Sequence, residues 1–202
     1  MKYLAHINDK GEEQPLKNHL EGTASLCGKY ADSFGAYEWG YCCGLLHDIG
    51  KYSLKFQKRI RGSEERVDHS TAGAKLCWDK KGLYQFLSYC IAGHHAGLPD
   101  TGGASDVSTC GTMTGRMKKK LEDYQAYEEE IEIPVLKNPP FQPVKEENRD
   151  FFFSMLIRML YSCLVDADYL DTEIFMNGKE IRNSGESIET LYGKFAERIS
   201  GW

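Results

Sequence analysis

The sequence predicts an all-α fold on three observations: apolar residues recur at helical spacing along most of the chain, strand signals are confined to 130–135 at most, and no internal repeat is visible. Leu16, Leu20, Ala24, Cys27 and Ala31 define the first amphipathic helix. The 38–60 stretch, with Trp39, Cys42, Cys43, Leu45, Leu46, Ile49, Leu54 and Phe56, reads as a second. Asp68-His69-Ser70-Thr71 offers capping side chains ahead of AGAKLCW. Residues 83–95 form another apolar helix that ends near Gly97. The Gly-, Ser- and Thr-rich stretch 97–115 is a loop, and a charged helix is expected from 116 to about 130. The Pro-broken linker PVLKNPPFQPVKEEN leads into a strongly apolar helix at 151–170, and a last helix at 188–199 is expected outside the core.

Composition bounds the rest. A chain of 202 residues fits one domain, spanning 1–202, with a core over about 15–175 and a helical extension over 176–202. Apolar residues at 41% and charged residues at 27% are the balance of a globular protein rather than a disordered one. No stretch approaches the ~20 apolar residues of a membrane span, so no membrane partner is expected. The amino terminus MKYLAHINDKGEEQ turns polar too soon to serve as a signal peptide, and the expected location is cytoplasmic. Seven cysteines, an odd number without a CxxC pair, read as reduced thiols among apolar neighbours. A net charge of -5 argues against coating nucleic acid by charge alone, yet leaves room for a local basic path.

The histidines carry the chemistry. His6 lies outside any helical context, whereas His19 sits in LKNHLEG, His47 with Asp48 in GLLHDIGK, His69 in VDHSTAG and His94 with His95 in AGHHAG; ADYLDTE places Asp168 near the end of an apolar helix. One helical histidine among apolar residues is ordinarily a hydrogen-bonded core residue. Five imidazoles and several carboxylates in one core need partners, and a divalent cation satisfies many of them together. Neighbours such as His47 and Asp48 differ by about 100° around a helix, so the histidine can point at one metal while the carboxylate bridges to a second. The spacing suits a dinuclear centre. Imidazole-rich sites favour Mn, Fe, Co, Ni or Zn over Mg or Ca.

The order His19, His47-Asp48, Lys51, His69, His94-His95, Asp168, with HDIGK, DHS, GHHAG and LVDADYLDTE, resembles the HD phosphohydrolase pattern as elaborated in the nuclease-helicase family of CRISPR type I systems, over about residues 15–175. HD-G-K is widespread in the superfamily; the DHS and GHH elements narrow the resemblance. It implies an HD-domain helical bundle with a metal centre in its core that cuts single-stranded DNA with two divalent ions, Mn, Fe, Co or Ni first and Mg or Zn next. It also implies a superfamily 2 helicase, fused or separate, to which residues 176–202 would lead, and a type I surveillance complex carrying guide RNA. By the same resemblance His47, Asp48 and Asp168 bind one metal with His19 close by, and Asp48 bridges to a second held by His69, His94 and His95. Asp166 and Asp168 lie about 200° apart on a helix, so one of them faces the site. Asp168, which follows the small Ala167 as the superfamily's last ligand does, is the first choice and Asp166 the fallback.

Catalysis would use Asp48 and Lys51, with a metal-activated water attacking phosphorus and Lys51 either reaching a phosphate oxygen or orienting Asp48. Lys55, Lys58 and Arg59, with Arg61 and Arg66, read first as a solvated face and second as a groove that follows a nucleic-acid backbone. Lys118-Lys119-Lys120 has the same two readings, and Tyr52, Phe56 and Tyr169 are core residues before they are base-stacking ones. GLLHDIGKY is not a phosphate-binding loop, because the glycine spacing is wrong and Tyr52 replaces the Ser or Thr. Two other functions compete with the nuclease: a phosphohydrolase of small or cyclic nucleotides, and a non-enzymatic helical module whose histidines are structural.

Overall fold

The computed structural model describes residues 2–140, 145–178 and 185–201. Eight α-helices and one short hairpin make up its regular structure among those residues, and the all-α expectation holds. The hairpin comes first. Strand β1 (Leu4–Ile7) pairs antiparallel with β2 (Glu13–Pro15), and Pro15 then delivers the chain into helix α1 (Leu16–Asp32). Helix α1 buries the stripe Leu16, His19, Leu20, Thr23, Ala24, Cys27 and Ala31, so His19 lies on its core face. Helix α2 (Tyr37–Leu46) is apolar on nearly every side and therefore runs through the middle of the protein, packed on α1.

The 38–60 stretch is not one helix. α2 ends at Leu46, a 3₁₀ turn covers Ile49–Tyr52, and α3 (Leu54–Ile60) restarts with the Ser53 hydroxyl accepting from the Phe56 N–H. The break has a packing reason at Gly50. A Cβ there would stand 2.1 Å from the backbone oxygen of His69, so the turn after Asp48 presses directly on the chain entering α4 (Ser70–Lys80). That entry is capped as the sequence predicts: the Asp68 carboxylate accepts from the Thr71 N–H at 3.1 Å and from its hydroxyl at 2.8 Å. Lys119 adds a 2.6 Å ion pair, and although burial opposes it, these contacts hold the Asp68 carboxyl down to about 2. α4 packs on α5 (Tyr84–Gly93), which ends immediately before His94 and His95.

The charged helix expected from 116 to 130 is absent. Only α6 (Met113–Met117) and a 3₁₀ turn at Gln125–Glu129 are helical in that region. The segment instead runs as a strap that sinks Tyr127, Ile131 and Leu136 into the core. Nor is there a strand at 130–135. Among the described residues no neighbouring strand offers a ladder, and side chains bind the strap's backbone: the Tyr84 hydroxyl donates to the Pro134 oxygen, and the Trp39 indole to that of Asn138.

Within the proline-rich linker, 141–144 lie outside the described residues, as do 179–184 in the expected C-terminal extension. α7 (Arg149–Asn177) is longer than 151–170 and buries Leu156, Leu160, Leu164, Ala167 and Leu170 against α1 and α5. α8 (Ile188–Ser200) leaves Ile188, Leu191, Tyr192, Phe195 and Ile199 exposed. The cysteines are all free, five of them buried, and no described helix is long and apolar enough to cross a membrane. Because Gly50 abuts backbone rather than a movable side chain, Gly50→Ala is expected to cost about 1–3 kcal/mol in urea unfolding of the metal-free protein; an unchanged midpoint would show that the turn can yield.

Candidate metal centre

The ends of four helices converge on Asp48, which has no exposed surface. His47 caps the end of α2 with Asp48 next to it, His19 comes from α1, His69 from the residue before α4, His94 and His95 from the end of α5, and Asp168 from α7. These side chains form two groups that share Asp48. The inner group is His19, His47, Asp48 and Asp168; the outer group is Asp48, His69, His94 and His95.

The distances are those of donors around a common centre. Asp48 Oδ2 faces the inner group, 3.6 Å from His19 Nε2 and 3.4 Å from His47 Nε2, and Asp168 Oδ1 stands 3.4 Å from both rings. Asp48 Oδ1 faces the outer group, 3.4 Å from the Nε2 atoms of His69 and His94. Good hydrogen bonds measure about 2.7–3.2 Å. Donors each ~2.1 Å from one cation at tetrahedral angles stand ~3.4 Å apart.

The tautomers point the same way. His47 Nδ1 donates to the Gly44 oxygen and His94 Nδ1 to that of Ile91, both at 2.7 Å, while His19 Nδ1 donates to Asp171 Oδ2 at 2.7 Å. Each of these rings, with its proton on Nδ1, turns an Nε2 lone pair toward Asp48. Consistently, Nε2 of His19, His47 and His94 and Oδ1 of Asp48 are buried without a hydrogen-bond partner among the described residues, and Asp48 Oδ2 has the Lys51 ammonium beside it. Buried lone pairs crowded on a carboxylate are costly unless something positive lies between them. These residues fit a divalent cation, and either group could hold one.

Charge around Asp48 is only partly balanced by the protein. Lys51 Nζ approaches Asp48 Oδ2 to 2.6 Å. Burial opposes ionisation of Asp48, but Lys51, His47 and His69 hold its carboxyl well below the usual range. Asp168 is lowered as well, His47 outweighing burial. Burial also opposes a charge on His47, yet Asp48 and Asp168 raise it to about 8. His69 is lowered by burial and by neighbouring cationic groups, and His95 falls to about 4 for the same reasons, burial first and His94 second.

Asp166 belongs to neither group. Of the basic candidates, Lys55 is tied to Glu65 at 2.6 Å and Glu122 at 3.3 Å, Lys58 is exposed on the surface, and Arg59 lines a cleft beside the centre. Lys118 and Lys119 are occupied by loop carbonyls and Asp68 respectively. Tyr52 is buried and donates to Glu130, Phe56 packs edge to face against the His69 ring, and Tyr169 is exposed. Four residues beside the centre escaped the sequence reading: His6, Gln14, Gln57 and Asp171. Asp171 had a signal, since it lies three residues after Asp168 and so on the same helix face. His6 and Gln14 sit in strands too short to show a period, and Gln57 reads as a polar residue of a helix.

Because Asp48 and Asp168 raise His47 against burial, a cation at its Nε2 competes with a proton there. Below pH 8 a cation must therefore displace that proton, and apparent affinity should weaken as pH falls from 8.5 to 6, with proton release on binding. Calorimetric titration with Mn or Ni in buffers of different ionisation enthalpy measures both; pH-independent binding without proton release would contradict the arrangement.

Comparison with known proteins agrees with this geometry. No curated protein matches the chain. The HD domain family does match, over residues 16–136, and HD domains are typically metal-dependent hydrolases. That span exceeds half of the chain and takes in every histidine of the two groups together with Asp48. With its paired histidine and aspartate at the break between two helices and further histidines brought up from α1, α4 and α5, the chain belongs to the HD domain family.

Proposed function

We propose that the protein is a two-cation phosphodiesterase that cuts single-stranded DNA in CRISPR type I interference. The observation that carries the chemistry is Asp48, whose two oxygens each face a separate donor group. In this reading each oxygen would serve one cation, and two such cations would supply the clamp that in-line displacement at phosphorus uses. Divalent cations held there would acidify a water and offset the charge on the phosphate oxygens. Mn, Fe, Co or Ni suit the imidazole-rich donors best.

The residues around the cations supply the rest. An open cleft of about 510 Å³ adjoins the centre, lined by His6, Lys51, His69, His95 and Arg59 and by the apolar Ile7, Phe56 and Met176. Lys51 holds Asp48 in place and, with Arg59, makes one wall of the cleft positive for a phosphodiester. The apolar residues offer a surface to a base or sugar beside it. The choice of DNA, and of interference as the setting, rests on the resemblance carried by HDIGK, DHS and GHHAG; a superfamily 2 helicase would then deliver the strand after a guide-RNA complex exposes it.

The size of the cleft favours a second reading. Small-molecule sites occupy about 300–1,000 Å³, so one nucleotide would also fill it. A single assay separates the two: fluorescent single-stranded DNA, and separately small and cyclic nucleotides, incubated with Mn, Ni, Co, Mg or no metal. Metal-dependent DNA cleavage that falls by roughly 100-fold or more in Asp48→Ala is the expected result. Turnover of nucleotides with DNA left intact would move the assignment to the small-substrate phosphohydrolase. Arg59→Ala should raise KM for DNA with little change in kcat and flatten its salt dependence. Equal salt dependence in both proteins would remove Arg59 from the DNA path.

A further inference from the structure

We propose that the N-terminal hairpin is part of the metal centre, acting through a hydrogen-bonded belt, Lys51–His6–Gln14–Asp171, that sets the cation affinity of the inner donor group through His19. The inference rests on the two-cation reading above. The belt runs in one direction only. Lys51 Nζ has no lone pair to offer, so it donates to His6 Nε2 at 3.3 Å. His6 must then carry its proton on Nδ1, which donates to Gln14 Oε1 at 2.8 Å. Gln14 Nε2 donates in turn to Asp171 Oδ2 at 2.9 Å, the same oxygen that receives the His19 Nδ1 proton. With Lys51 on Asp48 and Asp171 on His19, the belt grips the inner group at two of its four members.

Each member thereby acquires a position that it could not hold alone. Asp171 fixes the ring angle of His19 and keeps its Nε2 lone pair toward the centre, and Gln14 keeps Asp171 from swinging to solvent. Gly22 makes room for that carboxylate, since a Cβ there would lie 2.1 Å from Asp171 Oδ1. The hairpin itself is anchored by the buried Gln57, whose amide accepts from the Leu4 N–H and donates to the oxygens of both Leu4 and Lys51. One side chain thus fastens β1 to the turn after His47 and Asp48. No member of the belt hydrogen-bonds to His69, His94 or His95. His6, Gln14 and Asp171 are therefore positioning residues for the inner cation, and the outer group shares with the belt only Asp48, through Lys51.

The test uses the full chain and Co(II) as the probe, followed by calorimetry and by its visible absorption. Wild type should take up two ions in two resolvable steps, and His69→Ala, which removes an outer donor, identifies the outer step. Gln14→Leu and Asp171→Asn should weaken the inner step by about 10–100-fold and change its absorption band while the outer step stays as in wild type. Glu13→Ala, which removes only an exposed ion pair of the same hairpin with Lys2, should match wild type in both steps. If Gln14→Leu does not fold, Gly22→Ala displaces the same carboxylate from the α1 side and should give the same loss. Two wild-type-like steps in Gln14→Leu, or in Gly22→Ala where that variant stands in, would overturn the belt while leaving the two-cation reading intact. Uptake of fewer than two ions by wild type would overturn both.

Discussion

A carboxylate with no exposed surface, faced by four imidazoles and touched by one ammonium, is an expensive object to build, and the arrangement of the helices is organised around Asp48. Removing such a charge from water costs several kcal/mol even after relaxation. One lysine offsets part of that cost. Orienting three of the neighbouring rings by Nδ1 donation to Gly44, Ile91 and Asp171 works against economy, because it directs lone pairs rather than protons at the carboxylate. Such a core trades stability of the empty state for affinity when a cation arrives.

Apart from Asp168, which stands inside α7, the donors of this core lie at or near helix ends. A helix interior fixes its side chains in relation to one axis, whereas the donors here must converge from several directions. Placing Asp48 at a break, with backbone φ of −119°, frees it from the α2 axis and lets its two oxygens address different groups. The contact between Gly50 and the backbone of His69 then brings the α4 entry to the outer side of the same carboxylate. His94 and His95 follow directly on α5, so neither needs a long side chain to reach the centre.

Legibility in the sequence followed from how much signal each feature carries. Helices α1, α5 and α7 were readable because their apolar stripes extend over several turns, and Asp168 because it follows a buried stripe. The donor residues were readable because histidines are few and five of the six fell in helical contexts. The break inside 38–60 was hidden by apolar residues that continue across it, buried in α2, the turn and α3 alike. The 116–130 stretch looked helical by charge pattern, yet its Tyr127 and Ile131 are held by tertiary packing in a strap. Strands of four and three residues are too short to show a period of two, which left His6 and Gln14 without a structural context. Gln57 appeared as an ordinary polar helix residue, and only the fold reveals that it is wholly buried.

The donors are scattered along the chain, at positions 19, 47, 48, 69, 94, 95 and 168, and this has a consequence for the order of assembly during synthesis. The outer group is complete once residue 95 has left the ribosome, but the inner group lacks Asp168 until most of the chain has been made. Closing the connection between α1 and α7 is a long-range event whose entropy is lost before its contacts are gained. The inner group is therefore completed only when α7 packs on α1, whereas the donors of the outer group lie within the first half of the chain.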